Sequence, residues 1–169
     1  MDNIILIGMP GSGKSTLGVV LARKLGYGFL DTDSFISQRE KSTLQGIIDK
    51  YGLKRFLEIE SSVGSEIICD RVIIATGGSM VMSEDAMNNL KSIGKIVYIS
   101  VPVNELKRRL SDYSERGIAK SDGETLEEIF NKRSPYYEKY ADITVNYKDG
   151  NSLEETARDI IKDLKTFNN

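Results

Sequence analysis

The chain has 169 residues with one cysteine, no histidine and no tryptophan, and its 28% of charged residues leave a formal net charge of -2 and a pI near 5.4. That composition excludes a Ser-His-Asp triad, a Cys-His pair, any histidine-bearing zinc site, an internal disulfide and a Cys-rich cluster. It argues against a broad nucleic-acid surface, and proton transfer must fall to a carboxylate, a lysine, a tyrosine or Cys69.

No apolar run approaches the roughly 18 residues of a membrane span. The opening residues carry no basic stretch ahead of the apolar run 4–7, so a secretory leader is not expected and a cytoplasmic location is. No nucleic-acid or membrane partner is expected, and the chain reads as a monomer. A length of 169 residues suits one domain with a substantial core.

Taken in order, the pattern alternates. Residues 4–7 form a short apolar run ended by glycine, which reads as a buried strand. Residues 15–25 place Leu17, Val20, Leu21 and Leu25 at helical spacing, with Gly26 as a stop. A second strand spans 28–30 and ends on Asp31. Helical patterns follow over roughly 34–50 and 52–68. A third strand covers 72–75, stopped by Gly77 and Gly78. A helix over about 83–91 leads to a strand over 95–99, and another helix covers about 103–110. The segment 111–124 is polar, contains Gly117 and Gly123, and has the length of a lid loop. Thr125 with Glu128 makes a capping box for a helix ending near Tyr140. A fifth strand covers 143–145, and Ser152 with Glu155 caps a last helix. Apolar strands alternating with helices predict an α/β protein with a parallel sheet covered on both faces, which binds ligands at the carboxyl ends of its strands.

The strongest chemical signal is Gly8-Met9-Pro10-Gly11-Ser12-Gly13-Lys14-Ser15. It fits GxxxxGK[ST] in full, after a predicted strand and before a predicted helix. Successive backbone N–H groups of Gly11, Ser12, Gly13, Lys14, Ser15 and Thr16 turn toward one point and cradle phosphate oxygens at a helix N-terminus. Lys14 reaches the β and γ phosphates, and the Ser15 hydroxyl suits Mg²⁺. A dinucleotide fingerprint fails, because the sixth position from Gly11 is Thr16. A switch GTPase fails too: Asn131-Lys132 is followed by Arg133-Ser134, not by the x-Asp of a base-reading loop. Two carboxylates, Asp31 and Asp33, end the second strand. One can serve Mg²⁺ and the other can face an acceptor hydroxyl, although the pair also reads as a turn with a helix N-cap.

With these elements the sequence resembles the shikimate kinase family. The matching pieces are GMPGSGKST (8–16), DTD (31–33), Phe56-x-x-x-Glu60, ATGG (75–78), the Arg116 region and RSPYYEKYAD (133–142), and together they span nearly the whole chain. The resemblance implies a three-layer P-loop NTPase fold with a five-stranded parallel sheet and a mobile lid over about 111–124. It implies an acceptor-binding helical region at about 33–68, with ATP and Mg²⁺ as co-substrates. Carried over residue by residue, Lys14 and Ser15 hold phosphate and metal, and Asp31 lies near the metal. Asp33 holds the acceptor hydroxyl and takes its proton. Gly77 and Gly78 offer N–H groups to the acceptor. Arg116 crosses from the lid, Arg133 meets an acceptor carboxylate, and Arg109 stacks on adenine.

Each of these arginines has a plainer reading as a solvated surface residue, and Tyr136, Tyr137 and Tyr140 read as packing. Three departures fall on the acceptor side. Leu57 stands where the family has an arginine for the acceptor carboxylate, Ser79 where it has a third glycine, and Gly117 where a proline follows the lid arginine. Lys54, one helical turn before Leu57, is a candidate replacement. The expected activity is phosphoryl transfer from ATP to a hydroxyl of shikimate. A kinase of another hydroxylated metabolite such as gluconate, and a non-catalytic ATP-binding regulatory protein, stand as alternatives.

Overall fold

The computed structural model describes residues 3–111 and 118–167. Its centre is a five-stranded, fully parallel sheet in the order β2-β3-β1-β4-β5. The strands are β1 (Asn3–Ile7), β2 (Gly28–Asp31), β3 (Val72–Ala75), β4 (Gly94–Ser100) and β5 (Ile143–Asn146). Every residue of β1 is buried, as a central strand covered on both faces requires. The connecting helices are α1 (Lys14–Leu25), α2 (Thr32–Glu40), α3 (Leu44–Glu66), α4 (Glu84–Ile93), α5 (Val103–Ser111), α6 (Leu126–Tyr140) and α7 (Leu153–Phe167), with a single 3-10 turn at Met80–Met82.

The capping residues act as the sequence indicates. Thr125 and Glu128 form the reciprocal capping box of α6. Ser152 and Glu155 bond each other's backbone N–H groups at the start of α7. Each such cap satisfies donors that the first helical turn leaves open, and removing one typically costs about 1 kcal/mol.

The helical stretch expected over 34–50 is corrected by the structure. Lys41 adopts a left-handed conformation (φ 51°) and closes α2, and the Thr43 side chain accepts from the Gly46 N–H to open α3. A second break lies inside α3, where Gly52 has φ 84° and ψ 161°. That backbone region is open to glycine and strained for other residues. Three helical pieces therefore replace the two expected, and the chain turns corners that wrap it around a cavity.

Two apolar cores result. The larger surrounds the sheet and includes Ile5, Leu6, Leu21, Ile74, Val97, Leu106 and Ile160. The smaller is built by α2 and α3 from Ile36, Ile47, Phe56, Ile59 and Val63, with Ala119 joining it. This second core makes the 33–68 region a packed wall standing over the carboxyl ends of β1 and β3. Among the described residues no helix is long and apolar enough to cross a membrane.

Candidate active site

The loop between β1 and α1 takes the shape its glycines permit. Gly11 and Gly13 have φ of 79° and 92°, which turns the loop back over the start of α1. Lys14 is buried, and its ammonium donates to the carbonyls of Gly8 (2.9 Å) and Met9 (2.8 Å) and to Ser12 Oγ (3.3 Å). Burial lowers its pKa to about 8, opposed by Asp33 and Asp31. The ammonium therefore keeps its charge at neutral pH, and a phosphate beside it would strengthen that charge further.

At the end of β2 the Asp31 side chain does two things. Oδ1 accepts from the Ser34 N–H as the N-cap of α2, and Oδ2 accepts from Ser15 Oγ at 2.5 Å. Two hard oxygens thus meet beside the phosphate loop. Among the described residues no group of three or more acidic, His or Cys side chains forms a metal cage. Mg²⁺ is commonly held by one or two protein oxygens together with phosphates and water, so Ser15 and Asp31 fit it.

Asp33, in the first turn of α2, points into a cavity of about 870 Å³ whose lining also includes Lys14, Ser15 and Thr16 on the nucleotide side and Phe56, Glu60, Gly78, Ser79 and Arg133 on the other. Burial pushes the Asp33 carboxyl up to about 6, against the pull of Lys14 and with Asp31 adding to the rise. A carboxyl poised there accepts a proton at neutral pH more readily than an ordinary aspartate.

The far wall is denser in polar groups than the sequence suggested. Glu60, on α3, is 2% exposed. Ser79 Oγ donates to its Oε2 at 2.5 Å, and its Oε1 is buried with no hydrogen-bond partner among the described residues. Burial pushes this carboxyl up to about 7, although the Ser79 hydrogen bond opposes the shift. Arg133, on α6, is buried and donates to the Ala119 carbonyl. The Tyr137 hydroxyl donates to the Gly78 carbonyl (2.6 Å), and its ring stacks on Tyr98 at 5.1 Å between centroids. That tyrosine is a packing residue, as expected.

Several sequence expectations change on this geometry. The Gly77 N–H is not turned to the cavity: it donates to Thr32 Oγ1 at 2.9 Å. What Gly77 supplies is space, since a Cβ there would stand 2.3 Å from Glu60 Oε1 and 2.6 Å from Asp33 Oδ1. Gly78 does line the cavity. Leu57 does not; it packs against the second core and, with Lys54, Leu53 and Met82, lines a separate outer groove behind Glu60 and Ser79. Lys54 is exposed and stands on that outer side, so it does not replace a cavity arginine. Arg109 donates to Glu105 (2.8 Å) and to the Gly11 carbonyl (3.1 Å), and its guanidinium lies 5.0 Å from the Tyr147 ring centre. It borders a small pocket with Ser12, Gly13, Asn146 and Asn151. Arg116 and Gly117, within the expected lid, lie outside the described residues.

Sequence reasoning missed Glu60 and Ser79 as site residues. Glu60 was visible only as the end of a motif, and Ser79 only as a departure from one. Nothing in local periodicity marks either.

The comparisons with known proteins fit this geometry. The family model for shikimate kinase matches residues 10–165. A shikimate kinase of Thermodesulfovibrio yellowstonii is 35% identical over 172 residues, covering 100% of this chain and 98% of that protein. One of Clostridium botulinum is 38% identical over 155 residues, covering 88% and 91%. The solved structure of the Acinetobacter baumannii shikimate kinase in complex with shikimate superposes with a TM-score of 0.90 at 28% identity, covering 98% of this chain and 94% of that one. A phosphate loop, Asp33 and a buried arginine around one cavity, in a chain matched along its whole length to these proteins, place it in the shikimate kinase family.

Proposed function

We propose that the chain is an ATP- and Mg²⁺-dependent kinase that transfers the γ-phosphoryl group to a hydroxyl of shikimate. The observation that carries this reading is that one cavity holds both halves of the reaction. Lys14, Ser15 and Thr16 form its nucleotide side, and Asp33, Gly78 and Arg133 its acceptor side.

Phosphoryl transfer asks a protein mainly for positioning and charge neutralisation. The backbone of Gly11, Ser12 and Gly13 cradles phosphate, and Lys14 neutralises charge on the transferred group. Ser15 and Asp31 hold Mg²⁺, which supplies further neutralisation of phosphate oxygens when bound. Asp33 aligns the attacking hydroxyl and takes its proton as the new O–P bond forms. Arg133 meets the acceptor carboxylate as a buried, permanently charged fork. Arg109 and Tyr147 border the base, and Arg116, from the lid, completes the charge around the transferring group. The chain functions as a single P-loop domain, with 33–68 as the acceptor wall and 111–124 as the lid that excludes water.

The test is ADP release at fixed ATP and Mg²⁺ across a panel of shikimate, gluconate and related hydroxy acids. Saturable turnover with shikimate at submillimolar concentration is expected. Saturation only with gluconate or another acid would replace the acceptor, and tight ATP binding with no stimulated release would make the protein a non-catalytic ATP binder.

A further inference from the structure

One buried group in the cavity wall has no part in the mechanism so far. Glu60 is 2% exposed, and its Oε1 has no hydrogen-bond partner among the described residues. A buried carboxyl oxygen without a donor is costly, and native structures rarely leave one so unless something else supplies the donor. This oxygen lines the same cavity as Asp33, and both approach the one point that a Gly77 Cβ would occupy, at 2.3 and 2.6 Å. Glu60 Oε1 and Asp33 Oδ1 are therefore within about 5 Å of each other.

The other oxygen explains how Glu60 keeps that orientation. Oε2 accepts from Ser79 Oγ, a donor that glycine at this position cannot supply. The two positions where the chain departs from the resemblance nearest Glu60 are 57 and 79. Leu57 has turned into the second core and the outer groove, so it brings no cation to Glu60. Ser79, 5% exposed, provides the hydrogen bond instead.

We propose that Ser79 is a positioning residue that fixes Glu60 so that its Oε1 accepts a hydrogen bond from a second hydroxyl of the acceptor, beside the hydroxyl held by Asp33. Two carboxyl oxygens this close match hydroxyls on neighbouring carbons. The acceptor site thus selects polyhydroxy acids over monohydroxy ones. A site built to pair with a hydroxyl discriminates strongly against ligands lacking it, because its own buried polar atom is then left unpaired. This inference rests on the reading of the cavity as an acceptor site for phosphoryl transfer.

The test uses the full chain and its Ser79→Ala and Glu60→Gln variants, with thermal unfolding to confirm folding. Each is assayed by ADP release with shikimate and with analogues lacking one ring hydroxyl at a time. Ser79→Ala is expected to raise the KM for shikimate about tenfold or more, with the KM for ATP unchanged. Its penalty should vanish on the one analogue that lacks the hydroxyl facing Glu60. Glu60→Gln should show the same dependence on that hydroxyl, to a smaller extent. A hydroxyl-selective loss in either folded variant supports the proposal. An unchanged acceptor KM in both, or a penalty equal across all analogues, overturns it while leaving the kinase reading intact. If the unaltered chain phosphorylates a different polyhydroxy acid, the shikimate reading falls and the variants are compared on that acid and its deoxy forms. If it phosphorylates only monohydroxy acids, or nothing in the panel, the proposal falls with the reading.

Discussion

Replacing Gly77 with alanine probes the site through space alone. Ordinary contact between a Cβ and an oxygen begins near 3.4 Å, and the new methyl group would lie 2.3 Å from Glu60 Oε1 and 2.6 Å from Asp33 Oδ1. Each oxygen must therefore retreat by about 1 Å, or the backbone must move. The backbone is tethered by the Gly77 N–H bond to Thr32 Oγ1 and by the 3-10 turn that begins three residues later. A displacement of about 1 Å at a reacting group can reduce turnover about 100-fold, and overpacking of this kind destabilises by about 1–3 kcal/mol. We expect Gly77→Ala to lower kcat/KM for the acceptor about 100-fold in the coupled ADP-release assay, while ATP still raises the melting temperature. Turnover within threefold of the unaltered chain, in a protein that folds, would refute the placement of Asp33 and Glu60 against Gly77.

Asp33→Asn should cut turnover by at least about 100-fold with ATP binding retained, as judged by steady-state kinetics and thermal shift. In the unaltered chain, kcat/KM should fall as the pH drops through about 6, where the elevated Asp33 carboxyl gains its proton. Lys14→Met should abolish measurable turnover and weaken ATP binding, read by loss of the nucleotide-dependent thermal shift. Glu60 makes a stability prediction with a definite sign. Its folded pKa is raised from 4.5 to about 7, so the folded state binds the extra proton and this contribution is lost as pH rises from about 4.5 through 7. Chemical denaturation should show Glu60→Gln flattening that slope, by on the order of 3 kcal/mol across the window.

The fold was legible because each strand is short, apolar and punctuated. The run 4–7 ends in glycine, and Ser83, Thr125 and Ser152 announce their helices by chemistry that is local in sequence. The missed boundary at Lys41 is a left-handed residue in a non-glycine position, which helical periodicity cannot reveal. The nucleotide side was legible for the same reason as the caps, since residues 8–16 are contiguous. The acceptor side was not. It is assembled from Asp33, Glu60, Ser79 and Arg133 on separate elements, and whether residue 57 faces the cavity depends on the turn at Gly52 and on a second core. Leu57 looked like a hole in the acceptor site and does not line the cavity, whereas Ser79, the other departure in the described residues, holds a buried carboxyl.

The Lys14 ammonium has three hydrogens, and each already has an acceptor within the loop. A phosphate oxygen that recruits this lysine exchanges a bond to a neutral acceptor for a stronger one to an anion. The loop's shape is then a property of the chain itself, kept ready for the ligand and not moulded by it. Little ordering entropy is lost on binding. On the proposed reading, discrimination between nucleotides falls to groups outside the loop, such as those around Arg109 and Tyr147, while the phosphate loop is a seat common to all of them.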